Sequence, residues 1–162
     1  MMIEQIQYIR IVLFICIFLC ILPIATRAEE RKLPLPRFAS IKSNEVNARV
    51  GPTIKSSIEW VFIKKGEPVE IIEEYEQWRQ IRDIKGEGGW VHSSVLSGKK
   101  SVIVISEEIV PLTKQPNSKS KIIAKISKDV RCLLNKCEKN YCQVCCNNYT
   151  GWLPKKILWG TD

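Results

Sequence analysis

Five cysteines crowd the last third of the chain: Cys132, Cys137, Cys142, Cys145 and Cys146. Thiols so grouped can hold a metal, serve as nucleophiles or form disulfides. The spacing C-x4-C-x4-C-x2-C lacks the paired C-x2-C units of structural zinc sites, so no metal is expected. A thiolate nucleophile needs an imidazole in contact with it. His92 is the only histidine and lies in the other half of the sequence. No catalytic residue and no cofactor are expected, and His92 reads as a surface residue. Disulfides remain. Cys137 and Cys142 flank Glu138–Tyr141, which reads as a hairpin turn. Strand partners there lie about 5 Å apart at Cα, which suits a bridge. Cys132 can reach Cys145 or Cys146 on an adjacent strand. Those two point to opposite faces and cannot both meet it. The disulfide candidates are therefore Cys137, Cys142, Cys132 and Cys145, with one thiol left over in any full pairing.

The aromatic residues carry the other chemistry. Flat faces of Trp and Tyr suit sugar rings and peptide side chains. In a small domain most must be core, and Trp90 and Trp152, each after a glycine, are expected to pack inward. Tyr75 and Trp78 flank a turn, where one can stay exposed. Trp159 is expected to pack between modules. Arg49, beside a long loop, is expected to pair with a carboxylate such as Asp83. No Gly-x-x-x-x-Gly-Lys or Gly-x-Gly-x-x-Gly occurs, so nucleotide binding has no support.

The elements that must position these residues repeat. Val46, Trp60, Ile63, Val69, Trp78 and Ile81 match Ile109, Ile123, Ile126, Cys132, Tyr141 and Val144 at an offset of 63. Trp90, Val91, Leu96 and Gly98 match Trp152, Leu153, Leu158 and Gly160 at 62, one residue fewer. A repeat that keeps apolar type predicts two copies of one small fold. Strands are predicted at Ser57–Ile63, Val69–Tyr75, Gln77–Asp83 and Gly89–His92, then a helical turn to Leu96. The second copy predicts Lys121–Ile126, Asp129–Leu134, Tyr141–Cys145 and Gly151–Leu153. Such short strands with Gly and Pro turns imply small five- or six-stranded β-barrels, which hide their edges.

Residues Ile11–Leu22 are apolar and short of the roughly 20 a membrane span needs. Arg10 before them and Thr26-Arg27-Ala28 after them predict a signal peptide over 1–28. Residues 29–37 read as an extended leader, 38–98 as the first domain and 99–162 as the second. The protein is then periplasmic or secreted, with no integral membrane span after cleavage. The net charge is +8 over 162 residues, with lysines recurring rather than forming one run. Such a charge suits anionic envelope components or acidic proteins. Nucleic acid is not expected in an exported chain without an RNA-binding signature.

The stretch Val46-Asn47-Ala48-Arg49-Val50-Gly51-Pro52, then Gly66, Trp78, Ile81, Gly89-Trp90-Val91 and Leu96, resembles the bacterial SH3 (SH3b) family. Ser40–Pro52 and Gly151–Gly160 further resemble a two-copy exported variant found in Gram-negative bacteria. The resemblance implies an all-β chain of two tandem small SH3-like β-barrels after the signal peptide. It also favours the Cys137–Cys142 pair. It implies a non-catalytic binding module, with peptidoglycan stem peptides or envelope proteins as partners. Arg49, Tyr75, Trp78 and Tyr141 are the ligand-binding candidates, in a shallow groove beside the long first loop. The rival readings are a protein-interaction module for secreted or envelope partners, or a redox or metal role for the cysteine cluster.

Overall fold

The computed structural model describes residues 33–161. The expected signal peptide and the start of the leader lie outside the described residues. Residues 34–162 form one compact unit, and its strands make two seven-stranded antiparallel sheets.

The first sheet uses β1 (Arg37–Ile41), β2 (Val46–Arg49), β3 (Ile58–Phe62), β4 (Pro68–Tyr75), β5 (Trp78–Arg82), β6 (Gly88–His92) and β7 (Leu96–Ser97). Their order is β3-β2-β6-β5-β4-β1-β7. The second sheet uses β8 (Ser101–Val104), β9 (Val110–Thr113), β10 (Ile122–Ile126), β11 (Arg131–Glu138), β12 (Tyr141–Cys146), β13 (Tyr149–Pro154) and β14 (Leu158–Trp159). Its order, β10-β9-β13-β12-β11-β8-β14, repeats the first. Each sheet has seven strands rather than five or six. The strands predicted from sequence omit β1, β2, β8 and β9, and the two-residue β7 and β14 carry too little pattern to be seen.

Alternation explains each strand. In β2, Val46 and Ala48 turn inward while Asn47 faces out. In β12, Cys142, Val144 and Cys146 are buried and the residues between them are not. Ala39, Ile41, Val46, Ala48, Phe62, Val69, Ile71, Ile81 and Val91 make the first core. Val102, Val104, Leu112, Ile126, Val144, Leu153 and Leu158 anchor the second. Burying each Val, Leu or Ile contributes about 1.5–3 kcal/mol. Both cores exclude water by curling one sheet around itself, so the architecture is all-β with two small barrels.

The two copies share their irregularities. Ile72 on β4 and Asn135 on β11 are bulged at the same point of the repeat. The missing residue before the second Gly-Trp is a shortened turn. The Asp83–Glu87 loop is replaced by Asn147-Asn148, both at positive φ (47° and 72°), the signature of a tight two-residue hairpin.

The sheet register corrects the sequence alignment at β2, β3, β9 and β10. Val46 pairs with Phe62 where Val110 pairs with Ile126. The offset there is 64, not 63. Ile63 and Ile109 are therefore exposed surface residues, while Phe62 and Val110 stand in line with the core. One residue of slip moves a side chain to the other face.

The barrels touch through polar and aromatic groups. Arg131 on β11 makes a bidentate ion pair with Glu67, just before β4, and its Nη2 lies 2.8 Å from Oε1. Glu67 is 7 % exposed. Ser101 Oγ donates to the Gly66 carbonyl and Ser40 Oγ to the Lys99 carbonyl, each at 2.5 Å. Phe38 meets Trp159 edge to face at 5.1 Å, so Trp159 does pack between modules. No helix among the described residues is long and apolar enough to cross a membrane.

Candidate functional site

The β4–β5 hairpin places Tyr75 opposite Trp78. The turn closes through Glu76 at φ 48°. Tyr75 is exposed and Trp78 half-buried. Trp78 pairs in turn with His92 on β6, and the two rings meet edge to face at 5.8 Å. His92 is exposed, as expected, and has a local task. Its Nδ1 accepts the Ser94 N–H at 3.3 Å and caps the short 3-10 turn Ser93–Val95. The Gln77 carbonyl accepts the Ser93 N–H at 2.8 Å. Tyr75, Trp78 and His92 thus form one aromatic corner with a fixed backbone.

Arg49 does not pair with Asp83. Its Nη1 donates to the Ser56 carbonyl at 2.7 Å and ties down the loop 50–57. Asp83 instead accepts the backbone N–H groups of Lys85 and Glu87 within its own turn. Arg49 on β2 and Asp83, just past the end of β5, are separated by β6, which is why the expected pair does not form. Arg49 sits opposite Trp90 across the β2–β6 ladder. The approach of these strands depends on Gly89, where an added Cβ would lie 2.7 Å from the Arg49 carbonyl. Trp90 and Trp152 are buried beside their glycines.

The second barrel repeats the corner with other chemistry. Tyr141 on β12 stands opposite Glu138, as Trp78 stands opposite Tyr75. It lines an open recess of about 690 Å³ with Pro116, Glu138, Lys139 and Asn140. Lys139 repeats the positive φ of Glu76. Pro116 is the counterpart of Pro52 once the offset of 64 is applied. The structure brings Tyr75 and Trp78 together, keeps Arg49 two strands away beneath the loop, and puts Tyr141 in the equivalent corner of the other barrel. Pro116 was not visible in the sequence because its pairing with Pro52, at an offset of 64, shows only in the register, whereas Lys139 matches Glu76 at the plain offset of 63 but carries no apolar signal to single it out.

Four cysteines form two disulfides. Cys137–Cys142 joins directly opposed residues of β11 and β12, with Cα atoms 4.0 Å apart. It staples the hairpin that carries Tyr141. The second bond is Cys132–Cys146, with Cα atoms 4.4 Å apart. This corrects Cys145 as a disulfide candidate. Cys146 shares the inward face of β12 with Cys142 and Val144, and Cys132 is buried there too. Cys145 points to the other face, opposite Leu133, and is the free thiol among the described residues. No cluster of three or more His, Cys, Asp or Glu among the described residues is placed to hold a metal.

A family model described as "Bacterial SH3 domain" matches residues 42–98 and again 106–160. A protein named "Putative N-acetylmuramoyl-L-alanine amidase YrvJ" from Bacillus subtilis (strain 168) is 25 % identical over 130 residues. The match takes in 74 % of this chain and 25 % of that protein, so the chain spans about a quarter of the relative's length. Among solved structures, NlpC1 from Trichomonas vaginalis aligns at a TM-score of 0.36 with 11 % identity, over 80 % of this chain and 48 % of that one. NlpC2 from the same organism gives 0.37 and 12 %, over 80 % and 50 %.

Proposed function

Because the chain belongs to the bacterial SH3 domain family, matched in two copies, we propose that it is an exported, non-catalytic module that binds the peptide part of the cell wall. The observation that carries this reading is the aromatic corner that both barrels hold at the end of the same hairpin. Trp78 with Tyr75 and His92 forms it in one copy, and Tyr141 with Pro116 and Lys139 in the other. Aromatic faces take the aliphatic parts of a short peptide, and Lys139 and Glu138 meet its carboxylates and amines. Arg49 serves by bracing loop 50–57, whose counterpart in the second barrel supplies Pro116 to the recess. The family and the wall-amidase name of the relative support a wall ligand. Two disulfides support an oxidising compartment outside the cytosol, the periplasm or beyond.

The test is sedimentation of the full chain with peptidoglycan sacculi. Binding is expected to fall about tenfold with Trp78→Ala and with Tyr141→Ala, and less with Arg49→Ala. Failure of the unaltered chain to sediment, with stem peptides unable to compete, would rule the reading out. A second reading, a module for envelope proteins, is favoured by β3. It lies at the edge of its sheet and exposes Ile58, Trp60 and Val61, as strand-addition sites do.

A further inference from the structure

Of the two barrels, only the second carries a net positive charge. Residues 37–98 hold nine Lys and Arg against nine Asp and Glu, a net of zero. Residues 99–162 hold twelve against five, a net of +7. Within the second barrel the charge gathers further. Between Glu108 and Asp129 no acidic residue occurs, while Lys114, Lys119, Lys121, Lys125 and Lys128 do. Lys128 is paired with Glu107. The other four are exposed, and none has a carboxylate partner among the described residues.

The backbone holds these four on one rim. The Lys114 N–H donates to the Lys121 carbonyl at 2.9 Å, closing the neck of the loop between β9 and β10. The Gln115 N–H donates to Ser120 Oγ at 3.0 Å, and Lys119 N–H to Asn117 Oδ1 at 3.1 Å. Lys125 follows on β10, the edge strand of its sheet.

An apolar pair stands among the lysines. Ile122 faces Thr113 and Ala124 faces Leu112, which leaves Ile123 bulged without a partner. The bulge breaks the alternation that would bury one of two neighbours. Ile122 is 52 % and Ile123 37 % exposed. The first barrel has the same bulge, but there the extra residue is Glu59. Residues 50–61, the counterpart of 114–125, carry one Lys and one Glu.

We propose that the β9–β10 rim of the second barrel docks on an anionic lipid surface, with Lys114, Lys119, Lys121 and Lys125 over headgroup phosphates and Ile122 and Ile123 dipping among the upper acyl carbons. Lysines alone suit any polyanion. Two open isoleucines in their midst suit a surface with an apolar layer beneath its charge. The carboxylate of Glu59 at the matching bulge makes the first barrel unfit for the same contact. The rim borders the second barrel's hairpin corner through Pro116, so docking leaves the corner of the first barrel free for a second ligand.

The test is amide hydrogen exchange on the full chain, with vesicles of phosphatidylcholine alone or mixed with phosphatidylglycerol. Exchange is read segment by segment, so any binding through the apolar run at Ile11–Leu22 is not counted. Protection is expected over 114–125 on the anionic vesicles only, and absent over 50–61. The double variant Lys121→Gln/Lys125→Gln is expected to weaken it about 25-fold, at about fivefold per lysine. Ile122→Ser/Ile123→Ser is expected to weaken it about tenfold on vesicles while leaving binding to soluble inorganic polyphosphate unchanged. Equal protection on both vesicles, or protection over 50–61 instead, overturns the proposal. An isoleucine variant that binds vesicles like the parent chain, with polyphosphate protecting as fully, assigns the rim to a soluble polyanion and also overturns it.

Discussion

Glu74 and Arg79 face each other across β4 and β5 at the positions where Cys137 and Cys142 face each other across β11 and β12. Arg79 Nε lies 2.6 Å from Glu74 Oε1. Arg37, on neighbouring β1, also reaches Glu74. Each barrel therefore ties the hairpin under its aromatic corner, one with an ion-pair cluster and the other with a covalent bond.

The two ties differ in strength. Cys137→Ser/Cys142→Ser is expected to cost about 2 kcal/mol, the value for so short a closed loop. Arg79→Ala is expected to cost under about 1 kcal/mol, since the pair is partly open to solvent and screened. Urea unfolding of the two variants, run side by side in low salt, checks the order. Added salt is expected to narrow the gap between the parent chain and Arg79→Ala only.

The Cys132–Cys146 bond spans 14 positions and is expected to contribute about 3 kcal/mol. Reductant should therefore lower the second barrel's melting temperature more than loss of the hairpin bond does alone. Alkylation of the oxidised chain in denaturant, followed by peptide mapping, is expected to label Cys145 and spare Cys132, Cys137, Cys142 and Cys146. Label on Cys146 in place of Cys145 would reverse the assignment.

Arg131→Ala is expected to be worse than Glu67→Ala. Its loss strands a buried carboxylate, whereas loss of Glu67 leaves a guanidinium that can still reach water. About 1–3 kcal/mol is expected for the former, with the two barrels unfolding in separate steps by urea titration. The Arg131 guanidinium is held above its ordinary value, first by hydrogen bonds to Glu67, against the opposing effect of partial burial. A value raised by folding gives a contribution that is complete at neutral pH and is lost only as pH climbs through it. Stability measured between about pH 6 and 10 is thus expected to show no loss traceable to Arg131.

Gly89→Ala is expected to cost more than about 2 kcal/mol. It forces a side chain into φ 133° and against the Arg49 carbonyl. Gly86→Ala, at φ 87° with nothing within 4 Å, bears only the conformational strain, about 1 kcal/mol. Thermal melts of the two variants measure the difference. Equal losses would mean that the β2–β6 approach relaxes freely.

The all-β class, the doubled module, the inward Trp90 and Trp152 and the contact made by Trp159 were legible because apolar type at fixed spacing carries them. The slip at β2 and β9 was not legible. Ile63 and Ile126 are identical residues at a constant offset, yet one is 79 % exposed and the other buried. Only strand pairing decides which of two neighbouring apolar residues faces in. The same limit hid the choice between Cys145 and Cys146, which hangs on the phase of β12. Arg49 was expected to seek a carboxylate, but its guanidinium binds the Ser56 carbonyl of the loop that follows its own strand. The uneven charge was open to counting but not to pattern, since no run of lysines announces it.

The contact of Phe38 with Trp159 closes a circuit. The polypeptide enters its first strand and leaves its last at one corner. A short splice between those ends, with a new opening cut in the Pro52–Lys55 loop tip, would re-order the whole sequence while keeping every ladder intact. By the same geometry, tags fused just before Arg37 and just after Gly160 would emerge side by side rather than at opposite poles.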